Sequence, residues 1–305
     1  MARYLLGRLL HSAIVVLLVS MVVFGLVHLS GDPVALLVDL DATAEDIALL
    51  RQSLGFDRPL PVQYLSFLQK AVTGDFGRSL RHQLPAMELV VERLPATLWL
   101  TFAGLAISLL IALPVGFVGA VKRGTVWDRA GMILALAGQS MPSFAWGILL
   151  IIVFAVQLKW LPASGGGTWR HLVLPALTVG AFGAALTTRV LRSTLLEVLR
   201  KDFVRTARAK GLGERIILLK HVLKNAALPV ITLVGLQMGD LIGGSVITET
   251  VFSYPGMGLL AVQAIRNRDI AVVQAFVAVV ATTILLINLA VDLLYALIDP
   301  RVRYE

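Results

Sequence analysis

Apolar residues run along this chain in long blocks, with the polar residues gathered in the intervals between them. The blocks show neither the alternation of a half-buried strand nor the three-and-four spacing of a soluble amphipathic helix. Six of them reach the roughly 20 residues a helix needs to cross a bilayer core: 9–29, 96–120, 130–158, 172–192, 226–249 and 271–298. Each predicts a membrane-spanning helix, because a backbone surrounded by lipid must satisfy its own N–H and C=O groups. Arg3 and Arg8 precede the first block as they would in a secretory leader, but "VHLSGDP" follows it where a small-residue cleavage site would stand. That block predicts an uncleaved first span.

The one large polar interval is 30–95. "TAED" at 43–46 resembles a capping box with Asp in place of Glu, and Gly55 is placed to end the helix that follows. Pro59 and Pro61 punctuate, a helix is expected over about 61–72, "TGDFGRSL" reads as a turn-rich loop, and Pro85 opens a short helix into the second span. The expected fold class is an all-α membrane protein: six transmembrane helices with a small helical outer subdomain between helices 1 and 2. The expected division is 1–29 as the first span, 30–95 as that subdomain, 96–298 as a five-helix core carrying a loop at 193–225, and 299–305 as a tail.

Composition supports the bilayer as solvent. The chain is 57% hydrophobic and only 15% charged, with a mean hydropathy of +0.84, too apolar for a soluble core. Absence of cysteine excludes disulfides and thiolate chemistry. The net charge of +8 raises the possibility of nucleic acid. Distribution answers it: 17 of the 27 Lys and Arg lie in the N-terminus and in 121–129, 189–224 and 299–305. Those are alternate intervals, as expected of short cytoplasmic loops. Both termini are predicted inside, with no nucleic-acid partner.

The densest positive stretch is "RKDFVRTARAKGLGERIILLKHVLKN", 200–225. Asp202 is expected to cap a short helix with Phe203, Val204 and Ala207 near one face and Arg205, Arg208 and Lys210 around it. Gly211 and Gly213 break that helix. A second one follows, with Ile216, Leu219 and Leu223 in one stripe before Pro229. A topology signal needs only charge; helix, glycine turn and second helix suit a rigid docking element for another protein.

"DFVRTARAKGLGERIILLKHVLKNAALPVIT" resembles the cytoplasmic EAA loop of importer-type ABC transporter permeases, which carry a MetI-like transmembrane domain. More narrowly it is similar to the dipeptide, oligopeptide, glutathione and nickel permease subfamily. "GDPV", "LGFDRPLPVQYLSFLQKAVTGDFGRSL", "LPATLWLT", "WLPASG", "ITETVFSYPGMGLL" and "NLAVDLLYALIDPRVRY" extend the likeness over nearly the whole chain. Arg205, His221 and Lys224 depart from the general pattern, where Glu, Ile and Pro are usual; Thr206, Ala207, Gly211 and Leu223 keep the spacing. The resemblance implies that 202–218 is a coupling helix seated on a separate ATPase, with Asp202, Phe203, Arg205, Thr206, Ala207, Arg208, Lys210, Gly211 and Leu212 docking it. It also implies a heterodimer with a second homologous permease subunit, two ATPase subunits, an extracytoplasmic substrate-binding protein and the bacterial cytoplasmic (inner) membrane. "SYPGMG" at 253–258 reads as a tight turn, by resemblance in the periplasmic loop facing the binding protein.

No G-x-x-x-x-G-K-[ST] phosphate loop occurs, so the chain is expected to be no enzyme and to hold no cofactor, with ATP and Mg bound by the partner ATPases. Polar residues within spans are expensive and often line a water path. Gln139, Ser140, Ser143, Gln237, Asp240 and Glu249 are the expected translocation path, with Glu249 and Asp292 alternatively reaching the interface. Thr178, Thr187 and Thr188 serve equally for hydrogen bonds between helices. Pro114, Pro142 and Pro175 mark kinks or helix starts, and "GAFGAA" at 180–185 and "GGS" at 243–245 allow close helix approach. The five histidines are scattered, which predicts no metal site. The leading reading is a permease subunit forming half of a path for peptides: di- or oligopeptide, glutathione or a similar small solute. The alternative is an ion-coupled secondary transporter, for which six spans and a buried Asp240 suffice.

Overall fold

Helices make up most of the chain, as the apolar blocks require. The computed structural model describes Gly7, 14–22, Phe24, Gly25, Thr43, Glu45, Ala48, Leu49, Arg51, Gln52 and 55–298. "GDPV", Ala44 and Asp46 of the capping-box segment and the tail 299–305 lie outside the described residues, as does the side chain of Asp292. Among the described residues there is no strand; 14–22, Phe24 and Gly25 of the first apolar block are helical, the rest of that block lying outside the described residues. The helices that follow are α1 (Leu60–Thr73), α2 (Ala86–Val121), α3 (Val126–Ser140), α4 (Ser143–Gln157), α5 (Trp169–Val198), α6 (Asp202–Ala209), α7 (Glu214–Val251), α8 (Met257–Arg266) and α9 (Ile270–Ile298). By length and composition α2, α5, α7 and α9 can each cross a membrane, and α3 with α4 counts as a fifth span if that bent pair is one.

Two compact units are present, Met1–Pro95 with Leu260–Leu286 and Ala96–Leu259 with Ile287–Tyr304. In the first, Tyr64 and Phe67 of α1 pack on Phe24, with ring centroids 5.4 and 5.9 Å apart, and Phe67 continues the aromatic chain to the buried Phe76. The turn after α1 is fixed by the buried Ser79, whose hydroxyl donates to the buried Asp269 carboxylate just before α9. Ahead of α1, the amides of Gly55 and Phe56 donate to the carbonyls of Gln52 and Arg51. This is the helix ending expected at Gly55, whose φ is +74°.

In the second unit α5 is central, packed against α3, α4 and α7. Gly180 explains how α2 also comes close: a Cβ there would sit 2.7 Å from the carbonyl oxygen of Gly104. "GAFGAA" is thus used inside the chain. "GGS" is not, for a Cβ at Gly243 or Gly244 would meet nothing within 4 Å.

Three local expectations need correction. The third block is not one rod: α3 and α4 meet at 105°. Pro142 supplies no N–H, and it holds Met141 extended at φ −99°, ψ 137°. Lys201, not Asp202, occupies the cap position of α6, and Asp202 begins the helix without a side-chain cap bond. Finally, the buried stripe at the start of α7 is Ile217, Val222, Ala226 and Val230, whereas Ile216 and Leu219 are half exposed. The cause is a π-helical segment at Ile217–Val222. Its i→i+5 bonding takes one extra residue per turn, so the buried positions step by five and then by four.

Candidate functional site: a docking element on a long helix

α6 is held by two small apolar side chains. Val204 and Ala207 are buried in one cluster with Leu195 and Val198 of α5 and Ile217 and Val222 of α7. Phe203 and Leu212, by contrast, are each 40% exposed, and Asp202, Arg205, Thr206, Arg208, Lys210 and Gly211 are exposed as well. Phe203, placed near the buried face from sequence, is therefore available at the surface beside the cations. Within the helix Thr206 Oγ1 donates to the Asp202 carbonyl at 3.0 Å, and Arg205 lies 3.9 Å from the Asp202 carboxylate.

The turn after α6 is rigid by construction. Gly211 has φ +75°; its amide donates to the Arg208 carbonyl, and the Leu212 amide to that of Ala207. This is the double closure of a left-handed helix end, which favours glycine. Arg208 then spans the turn, donating from Nε and Nη2 to the two Glu214 oxygens at 3.1 and 2.6 Å. α6, the turn and the start of α7 form one piece.

Further along α7 the polar candidates separate into two groups. Gln237 is enclosed: its Nε2 donates to the Gly183 carbonyl and the Thr187 hydroxyl at 3.3 and 3.2 Å. Asp240 is exposed and shares a face with the exposed Leu236, Gly243, Gly244 and Ile247. In the bend between α3 and α4, Gln139 and Ser143 are half buried, and the exposed Ser140 donates its hydroxyl to the Leu136 carbonyl at 2.8 Å.

Glu249 is fully enclosed, at 0% exposure. Thr97 Oγ1 and Ser245 Oγ donate to one carboxylate oxygen at 2.7 and 3.2 Å, and the Gly258 and Leu259 amides to the other at 2.7 and 3.1 Å. Rather than bordering water, it closes the first turn of α8, whose amides have no partner within their own helix.

Sequence reasoning missed the ion pair that joins α3 to α5. Asp128, 5% exposed, accepts from Arg192 Nε and Nη2 at 2.6 and 2.8 Å and from the Gly124 amide at 2.9 Å, tying α3 to α5. Arg192 had counted only as one of many basic loop residues. The available signal was that Asp128 is the sole acid in the basic interval 121–129. None of these groups forms a reactive constellation; the arrangement is an exposed basic helix fixed to the start of α7.

Comparison with known proteins identifies the family. Residues 104–304 match the family model described as the binding-protein-dependent transport system inner membrane component, and residues 1–101 match that of its N-terminal region. The glutathione transport system permease proteins GsiC of Salmonella typhi and Escherichia coli K12 are 45% and 44% identical over 306 residues, covering 100% of each chain. Among solved structures, an inward-facing MetNI methionine ABC transporter aligns at a TM-score of 0.60, 23% identity, 70% of this chain and 97% of that one. An amino acid ABC transporter aligns at 0.53 and 15%, over 70% and 94%. These structural likenesses carry the fold alone. The chain belongs to the family of binding-protein-dependent transport system inner membrane components and is a permease subunit of an ATP-binding-cassette importer.

Proposed function

We propose that this permease forms half of the translocation path for small peptides, glutathione among them, delivered by an extracytoplasmic binding protein. The full-length identity of 45% to glutathione permeases carries the substrate class. A second, homologous permease completes the path, and two ATPase subunits bind ATP and Mg. The N-terminus lies in the cytoplasm with α6. The outward residues of α6 and its turn, Asp202 to Leu212, seat in an ATPase groove. Nucleotide-driven closure of the ATPases pulls α6, and α7 moves with it because Val204 and Ala207 are packed against it.

The open face of α7 supports this division of labour. Asp240 stands there beside two glycines with room for another helix, so the second permease and the solute path lie on that side. Gln139, Ser140 and Ser143 add polar groups at the α3–α4 bend, while Gln237 and Glu249 hold helices together behind it. Reconstitution of the complete importer in liposomes tests the reading. Uptake of labelled glutathione or di- and tripeptides should require the ATPases and the binding protein. Uptake by this chain alone under an ion gradient would sink the proposal in favour of a secondary transporter.

A further inference from the structure

Glu249 is the only charged side chain of α7 that is fully buried; Glu214, Arg215, Lys220, Lys224 and Asp240 are all exposed. Its four donors are neutral: two hydroxyls and two amides of the first turn of α8. Thr97 serves twice, since its Oγ1 also accepts from the Met257 amide at 2.9 Å. A residue of α2, one of α7 and the start of α8 therefore meet on one carboxylate.

The carboxylate also explains the first glycine of "SYPGMG". A Cβ at Gly256 would collide with the carboxyl group of Glu249, and one at Gly258 would lie 2.6 Å from Cα of Val246 and 2.9 Å from Glu249 Oε2. Gly256 is needed because the acid fills the space a side chain would take, and Gly258 because the backbone of α7 at Val246 passes close beside the same carboxylate. Enclosed this way, Glu249 has no room to touch a solute.

Its place on α7 gives the cluster a use. α7 is one helix of 38 residues, with α6 packed on its first turns and Glu249 two residues before its end. At 1.5 Å per residue such a helix spans roughly 57 Å. We propose that Glu249 is a positioning residue for transport, locking the start of α8 to the far end of α7. A displacement imposed at α6 is then delivered to the turn 253–256 and the first turn of α8 that follows it. This rests on the permease reading above, and the test below distinguishes failure of one from failure of the other.

The test uses the full importer in liposomes with the binding protein. It measures ATP turnover and uptake of tritiated glutathione, dipeptides and tripeptides, all per assembled complex. Glu249→Ala leaves four donors without an acceptor. ATP turnover per complex should stay within about twofold while uptake falls about tenfold, the size of an ordinary coupling free energy. Glu249→Gln keeps one oxygen for the two α8 amides and should recover part of the uptake. Thr97→Val keeps the side-chain shape, so it folds even if the alanine variant does not, and should lower uptake about threefold at constant turnover. A residue that only stabilised the fold would reduce the amount of complex and leave uptake per complex unchanged. That result in Glu249→Ala or Thr97→Val, or a fall in uptake only in step with turnover, overturns the proposal. No uptake by the unaltered importer overturns the permease reading, and the lock with it.

Discussion

The two ends of α7 hold their charges in opposite ways. At the α6 end Arg208 and Glu214 pair bidentately in the open, with side chains 47% and 53% exposed. At the other end Glu249 is enclosed and has only neutral donors. An exposed pair has little to gain, because water already solvates both groups. A buried carboxylate has much to lose, because each missing donor leaves charge uncompensated in a poor solvent. The contrast teaches where each end can be altered. On the reading proposed above the α6 end is the surface an ATPase grips and re-pairs, whereas the Glu249 end is closed within the chain.

Gly211→Pro should strike the α6 end hardest. Proline fixes φ near −65°, while Gly211 has φ +75° and its amide closes on the Arg208 carbonyl. The helix end cannot form, so α6 loses its orientation to α7. Uptake and co-purification of the ATPase subunits should both disappear, with membrane insertion measured by fractionation unchanged. Normal co-purification would mean that the grip does not depend on this turn, and the comparison between the two ends would break.

Much of this was legible because lipid leaves the chain few options. The blocks that became α2, α5, α7 and α9 could be read from length alone. Pro142 marked a kink or helix start, but nothing local in the sequence dictates a bend of 105°. Gly211 was readable as a helix end because positive φ selects for glycine. Ile216, Leu219 and Leu223 were read as one stripe of α7, yet only Leu223 packs on the buried cluster, because a π-helical segment shifts the phase without any residue that announces it. Glu249 was harder still. Its partner Thr97 lies 152 residues away, so "SYPGMG" could be read as a turn but not as a cradle for a distant acid. Asp128 was lost among cations for the same reason: its partner Arg192 is 64 residues on.

That pair sits between the two extremes, with Asp128 almost enclosed and Arg192 23% exposed. Asp128→Ala removes the anion and leaves a half-buried guanidinium behind, which costs about 3 kcal/mol when such a pair is broken from one side. The expected readout is a clearly lower apparent Tm of the purified permease. Asp128→Ala with Arg192→Ala should be less damaging than the sum of the two single changes, because neither charge is then stranded. Additive losses would show that the bidentate contact between α3 and α5 is not the source of the stability. The graded scale of burial along these helices would then lose its middle point.

The smallest effect belongs to Arg208 and Glu214. A double-mutant cycle with Arg208→Ala and Glu214→Ala should give a coupling of only about 0.5 kcal/mol in the free permease, and less at high salt. The same cycle on ATPase affinity should be larger and unequal. On the docking reading proposed above, the exposed Arg208 exchanges Glu214 for an acid on the partner, whereas Glu214 contributes only by holding Arg208 in place. Arg208→Ala should therefore weaken docking more than Glu214→Ala does, measured as the ATPase concentration needed for half-maximal stimulation. Equal losses would assign the pair to the internal structure of the turn. The α6 end would then resemble the Glu249 end, a joint with its charges committed inside the chain, and the gripping surface would have to be Phe203, Lys210 and Leu212 alone.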